Sequence, residues 1–231
     1  MKNLLLFLVI TTFFGFCGCD LGFNQEAPNS ANPEGTWQWP FPSSTNLGDE
    51  NTEKSAKVEN GRIEIFEEIT DETFFRIIRQ LDACEVDSQV KEIQIFIYSP
   101  GGSAVATFAI CDAIRNSTKP VATISLGFAA SGAAMILASG TKGKRYGTKY
   151  GDIMIHRPYT VIWGYFRRED LAKEAKEMEK LENKLYDLIA EYTGKSVEEI
   201  KDALKEENWL NVNEAIKFGL IDKVWRGKKS K

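Results

Sequence analysis

Between Arg62 and His156, apolar runs of strand length alternate strictly with segments of helical periodicity, and this alternation restricts the fold more than any other feature of the chain. Arg62-Ile63-Glu64-Ile65-Phe66 has the period of two that a strand requires. Thr70 is placed to cap a following helix in which Phe74, Phe75, Ile77, Ile78 and Leu81 recur at helical spacing. Ile93 to Tyr98 reads as a second strand, ending in Ser99-Pro100-Gly101-Gly102-Ser103, and a helix is expected from Val105 to Asn116. Val121 to Ser125 is a third strand, followed by Gly127 and a small-residue helix from Ala129 to Ser139. Tyr146 to Lys149 is expected to be a short connection, and Asp152 to His156 a fourth strand. Strands joined through helices run parallel, so an α/β fold with a mainly parallel sheet is expected. Reactive groups collect at the carboxyl ends of strands in such sheets. Gly101-Gly102, Ser131 and His156 all stand at or just after expected strand ends.

The rest of the chain divides by composition. Lys2 precedes an apolar run from Leu4 to Phe16, too short to span a bilayer comfortably but suited to the core of a signal peptide. Phe16-Cys17-Gly18-Cys19 is similar to the end of a bacterial lipoprotein signal, so residues 1–19 are expected to be a signal with Cys19 as the lipidated residue. That implies an exported, membrane-anchored protein. A plain export signal or uncleaved anchor is the alternative, and a cytoplasmic location follows if the segment is not a functional signal. Residues 20–60, rich in Asn, Pro, Ser and acidic side chains, read as a flexible linker, interrupted by Trp37-Gln38-Trp39-Pro40-Phe41-Pro42. The folded domain is expected over 61–225, with a basic tail at 226–231. Within it, Leu171, Ala175, Met178, Leu181, Leu185, Leu188 and Tyr192 step by three or four along one helix from Arg168 to Tyr192. Such a helix either lies in the core or projects to pack on another subunit. Gly194 ends it, Ser196 and Glu199 form a capping box for the next helix, and Asn213 to Asp222 holds a short helix, a glycine stop and a last strand.

A net charge of −4 and a pI near 5.3 argue against nucleic acid as a partner. The small clusters Lys142, Lys144, Arg145 and Arg226, Lys228, Lys229, Lys231 read as solvated surface. Cys84 and Cys111 sit in apolar stretches and read as small buried hydrophobes. With a single histidine and no CxxC pattern, no metal site and no cofactor are expected.

His156 and Ser131 are the residues with chemistry to offer. A lone histidine is ordinarily structural. Ser131, however, is flanked almost entirely by small residues, from Gly127-Phe128-Ala129-Ala130 to Gly132-Ala133-Ala134. A nucleophile on a tight strand-to-helix turn needs such neighbours, because bulk would keep a carbonyl carbon from the hydroxyl. The helix start beyond it offers free N–H groups to a developing oxyanion. A close-packed helix crossing would explain the same small residues.

Taken in order, several motifs narrow the choice: Ile95-Phe96-Ile97-Tyr98-Ser99-Pro100-Gly101-Gly102-Ser103, Gly127-Phe128-Ala129-Ala130-Ser131, Gly143-Lys144-Arg145-Tyr146, Met154-Ile155-His156-Arg157-Pro158 and Asn213 to Asp222. From Arg62 to Trp225 the chain resembles the proteolytic subunit of the Clp protease, a serine endopeptidase on the spiral of β-β-α units shared with the crotonases. The resemblance implies Ser131 as nucleophile, His156 as general base, and the backbone N–H groups of Gly102 and Gly132 as the oxyanion hole. The family's acid is usually Asp; the matching position here is Glu207, with Glu206 and Asp202 as alternatives. The stretch from the histidine to the acid, near Ile162 to Phe166, is two residues longer than the family pattern. The helix after Arg168 looks like the family's handle, which interlocks two seven-membered rings, so a homo-oligomer acting on peptides or unfolded proteins is expected. No G-x-x-x-x-G-K-[ST] loop is present, so ATP dependence would belong to a partner, and an exported domain meets little ATP. Two other readings stand beside this one: a catalytically silent structural or binding lipoprotein, and a crotonase-type acyl-CoA enzyme.

Overall fold

The computed structural model describes residues 58–227 apart from Trp163. The expected signal with Cys19, nearly all of the linker and the end of the basic tail lie outside the described residues.

Five parallel strands form the main path of one sheet: β1 (Arg62–Ile65), β2 (Ile93–Ser99), β3 (Val121–Ala130), β4 (Arg145–Thr148) and β7 (Lys223–Trp225), in the order β1-β2-β3-β4-β7. The connections carry α1 (Asp71–Val86), α2 (Ala104–Asn116) and α3 (Gly132–Ala138). Thr70 caps α1 through Thr73 N, and Ser103 caps α2 through Ala106 N.

β3 serves two neighbours in succession. Thr123 to Ser125 pair with β4, whereas Phe128 to Ala130 pair with β5 (Asp152–Ile155). Gly127 lies between the two sets with φ of 94°, in the region that glycine reaches without strain. A Cβ there would meet nothing within 4 Å, so it is conformation and not space that calls for glycine. This fork revises two expectations. Ala129 and Ala130 are strand residues laddered to Ile153 and Met154, and α3 starts only at Gly132. Tyr146 to Lys149 is expected as a connection, but Arg145–Thr148 is a strand, because β3 and β7 flank it and satisfy its backbone despite its lack of apolar alternation.

The alternation in the strands sorts the two sheet faces. Ile63, Ile65, Ile93, Ile95 and Ile97 are fully buried with Ile77, Leu81, Ile110, Ile114 and Ile136 from the helices. The other face carries a smaller cluster of Phe96, Ala122 and Ile124, edged by Tyr146 and Trp225. Cys84 and Cys111 are free and buried as expected. Burial pushes the Cys111 thiol up to about 12, so it packs as a small hydrophobe.

Helix α4 (Arg168–Thr193) is seated in the core at one end and exposed at the other. Leu185, Tyr186, Ile189 and Tyr192 are buried near its C-terminal end, while everything from Arg168 to Glu177 is exposed, Leu171 included. The helix thus projects from the domain by its first half and is seated by its second. It ends at Gly194 with φ of 76°. After it come α5 (Val197–Ala203), opened by the Ser196–Glu199 capping box, then β6 (Asn208–Asn211) and α6 (Val212–Phe218). β6 was hidden in the sequence by its polar composition; it runs antiparallel to β5, placing Ile153 against Leu210 and Ile155 against Asn208.

Arg145 departs most from expectation. It is buried, not solvated, with its side chain 5% exposed beside Asp222 at 15%. Arg145 Nη2 and Nε donate to the two carboxylate oxygens at 2.8 and 3.0 Å, and Nη1 donates to the carbonyls of Tyr192 and Ala138 at 3.1 and 3.3 Å. The carboxylate also accepts from Gly143 N and Arg145 N. One ion pair thereby ties the ends of α3 and α4 to β4 and to the turn before β7. Burial pushes the Asp222 carboxyl up, but the Arg145 side chain, the backbone donors and the guanidinium charge together hold it below its ordinary value. A carboxyl lowered in this way stabilises the fold fully above the unfolded-state range near 3.9, and the contribution is lost as pH falls through the lower folded value. Asp222→Asn should therefore cost about 3 kcal/mol at pH 7. In urea unfolding followed from pH 7 downward, the gap to wild type should narrow in the acid range and not before.

Candidate active site

Three backbone segments meet at the carboxyl ends of β2, β3 and β5. Ser131 follows β3 directly and opens α3 with φ of 55° and ψ of −125°, a conformation that L-residues other than glycine seldom adopt. Its N–H donates to Met154 O at 2.8 Å, and its carbonyl accepts from Ala134 N at 3.0 Å, so strand and helix pin the strained residue from both sides. His156 is the first residue beyond β5. Because Ala130 and Met154 are ladder partners, the two strands deliver Ser131 and His156 side by side. His156 Nε2 lies 2.9 Å from Ser131 Oγ.

Pro100-Gly101-Gly102 closes the third side. Ile69 N donates to Gly101 O and Ser103 N donates to Ile69 O, both at 2.7 Å. That bridge leaves the Gly102 N–H on the opposite edge, with no acceptor among the described residues. Gly132 is the first residue of α3, where an N–H has no partner within the helix. The glycines are demanded by space. A Cβ on Gly101 would stand 2.7 Å from Ala130 O and from Ser131 Cβ; one on Gly102 would stand 2.2 Å from Ile69 O. One on Gly132 would stand 2.3 Å from Thr107 Oγ1, a buried hydroxyl without a hydrogen-bond partner among the described residues.

The space in front of Ser131 is a cleft of about 640 Å³. Gly101, Gly102 and Gly132 form its floor with Ser131, while Phe108, Met135, Leu181 and Leu185 give it an apolar wall. The seated part of α4 thus supplies part of the cleft. Glu207 is exposed and reaches both the cleft and a shallower hollow behind the imidazole. Its Oε2 accepts from Trp209 Nε1 at 3.4 Å. Among the described residues, the hydrogen bond of His156 is the one to Ser131. Of the alternatives, Glu206 lines the hollow, and Asp202 pairs with Lys205 Nζ at 2.6 Å outside both spaces. The sequence reading overlooked Tyr159, which lines the cleft and the hollow alike and holds its ring 5.5 Å from the imidazole. Its one legible signal was its place just after His156-Arg157-Pro158.

A hydroxyl on a strained turn within hydrogen-bond reach of an imidazole, beside two unengaged backbone N–H groups, is equipment for acyl transfer through a serine. The comparisons agree on that class. A family model described as Clp protease matches residues 48–228. The chain is also 40% identical over 162 residues to the ATP-dependent Clp protease proteolytic subunit 2 of Treponema denticola, covering 70% of this chain and 80% of that one. The fold and site define a serine endopeptidase. The chain belongs to the Clp protease family.

The contact between Gly132 and Thr107 yields a two-step expectation. Gly132→Ala should destabilise the domain by about 1–3 kcal/mol through overpacking. Adding Thr107→Ala should recover most of that loss, as read from paired thermal melts of the single and double variants.

Proposed function

We propose that Ser131 Oγ attacks the carbonyl carbon of a peptide bond seated in the cleft while its proton passes to His156 Nε2. The C–O bond forms as the carbonyl π bond opens, and the oxyanion is received by the N–H groups of Gly102 and Gly132. His156 then gives the proton to the departing amine nitrogen, leaving an acyl-enzyme. Water attacks that ester with His156 again as base, and Ser131 regains its proton. The observation that carries this reading is the 2.9 Å approach of Nε2 to Oγ on a strained turn. Each oxyanion donor is worth on the order of 10²–10³ in rate.

Glu207 is the acid of this proposal. It stands on the wall of the hollow behind the imidazole, where a carboxylate turned inward would hold His156 in the tautomer that accepts from Ser131. Its extra methylene, compared with Asp, gives that turn more reach and less fixity.

The projecting half of α4 and the exposed apolar side chains before it, Val161, Ile162 and Phe166, support assembly of several copies into a ring. The relative's name records ATP dependence; with no phosphate-binding loop in this sequence, such dependence here would reside in a partner. Lipidation at Cys19 would place the peptidase on a membrane surface.

The test is covalent labelling with a fluorophosphonate alongside cleavage of fluorogenic peptides and a measurement of mass in solution. Wild type should label once per chain and sediment as an oligomer. Ser131→Ala should not label, and either Ser131→Ala or His156→Ala should lower kcat by roughly 10⁴-fold or more. Glu207→Gln should lower kcat about tenfold or more with KM little changed. Absence of labelling in every assembled form would overturn the proposal.

A further inference from the structure

Tyr159 is 77% exposed, yet its ring is placed against one partner, the imidazole of His156, at 5.5 Å between centroids and 40° between planes. An exposed tyrosine ordinarily gains nothing from holding one pose. Here the chain aims it. Pro158 fixes its own φ and restricts Arg157 to extended backbone, so the segment beyond β5 has little freedom, and Tyr159, three residues after His156, sets its ring beside the imidazole. The ring then lies at the boundary between the cleft before Ser131 and the hollow behind the imidazole, lining both.

That boundary matters because Glu207 has its described hydrogen bond with Trp209, not with His156. The imidazole is fixed on the Ser131 side by the 2.9 Å contact, and on its flank by Tyr159. When the imidazole takes the Ser131 proton it becomes a cation beside an aromatic ring, and an aromatic face attracts a cation through its quadrupole.

Resting on the serine-peptidase reading above, the geometry points to Tyr159 as a positioning residue for His156. Its ring packs on the imidazole, limits its rotation toward the hollow and favours the imidazolium formed during attack. It acts through its ring, not through its phenol group, and through His156, not through substrate.

The test uses the full chain in its assembled state and two variants, Tyr159→Phe and Tyr159→Leu. Tyr159→Leu keeps apolar bulk without the quadrupole and should lower kcat and the rate of fluorophosphonate labelling about three- to tenfold with KM unchanged. Tyr159→Phe should restore both to within about twofold of wild type. His156 is the only histidine in the chain, so ¹³C-labelled histidine gives ring signals that need no assignment. Those signals should shift in Tyr159→Leu, as the ring current is lost, and stay near their wild-type position in Tyr159→Phe. This readout does not depend on activity. If wild type fails to label while the histidine signals behave as stated, the peptidase reading fails and the aromatic contact survives without its catalytic consequence. If wild type labels but Tyr159→Leu matches it, if KM alone changes, or if Tyr159→Phe falls as far as Tyr159→Leu, the role assigned to the ring is wrong.

Discussion

The site exists because two stretches of backbone approach more closely than side chains allow. The Pro100-Gly101-Gly102 turn lies against the Ala130-Ser131-Gly132 turn so tightly that a single carbon on Gly101 would be 2.7 Å from both Ala130 O and Ser131 Cβ. Gly102 is equally confined on its other side by the Ile69 backbone. This packing of main chain on main chain sets unengaged N–H groups next to the Ser131 hydroxyl. Such donors do not need to reorganise when charge develops, which is where a preorganised site gains over water. The φ of 55° at Ser131 is a cost of the same arrangement, offset by its bonds to Met154 and Ala134.

The fork in β3 connects this chemistry to the stability of the domain. Upstream of Gly127 the strand joins β4, whose Arg145 anchors the ends of α3 and α4 through Asp222. Downstream it joins β5 and so delivers His156 to Ser131. Helix α3 follows Ser131, its N-cap residue, and ends at Ala138, whose carbonyl Arg145 holds. Ser131 and the buried ion pair therefore sit at opposite ends of one seven-residue helix. A loosened ion pair would be transmitted along an element too short to bend, whose residues from Ala133 to Ala138 are all buried.

The sequence disclosed whatever rests on local pattern. Isoleucines in alternation announced β1 and β2, Thr70 and Ser196 announced helix starts, and Gly194 announced a stop, because each is decided within a few residues of itself. The Ser131 turn was legible for the same reason: its small neighbours are contiguous. What stayed hidden depends on partners distant in the chain. Arg145 looks like one of three surface cations until Asp222, 77 residues away, neutralises it in the interior. β4 and β6 lack apolar alternation, and become strands because neighbours satisfy their backbones. Ala129 and Ala130 favour a helix by propensity, but the ladder to β5 overrides it.

The three side chains proposed for catalysis also differ in how firmly the fold holds them. Ser131 and His156 directly follow strands that are hydrogen-bonded to one another, so their separation is fixed by ladder geometry before any side chain rotates. Glu207 precedes β6, on the sheet's antiparallel margin, and is exposed with three flexible bonds between backbone and carboxylate. Ordering such a side chain costs rotamer entropy that a buried residue has already lost. The serine and histidine can therefore be preorganised within a single folded chain, whereas a carboxylate in this position gains fixity only from what packs over it. The aromatic ring on the flank of the imidazole is consistent with that imbalance: where the proposed acid is long and exposed, a neighbour whose backbone is restricted by Pro158 would offer the orientation that the carboxylate alone supplies less rigidly.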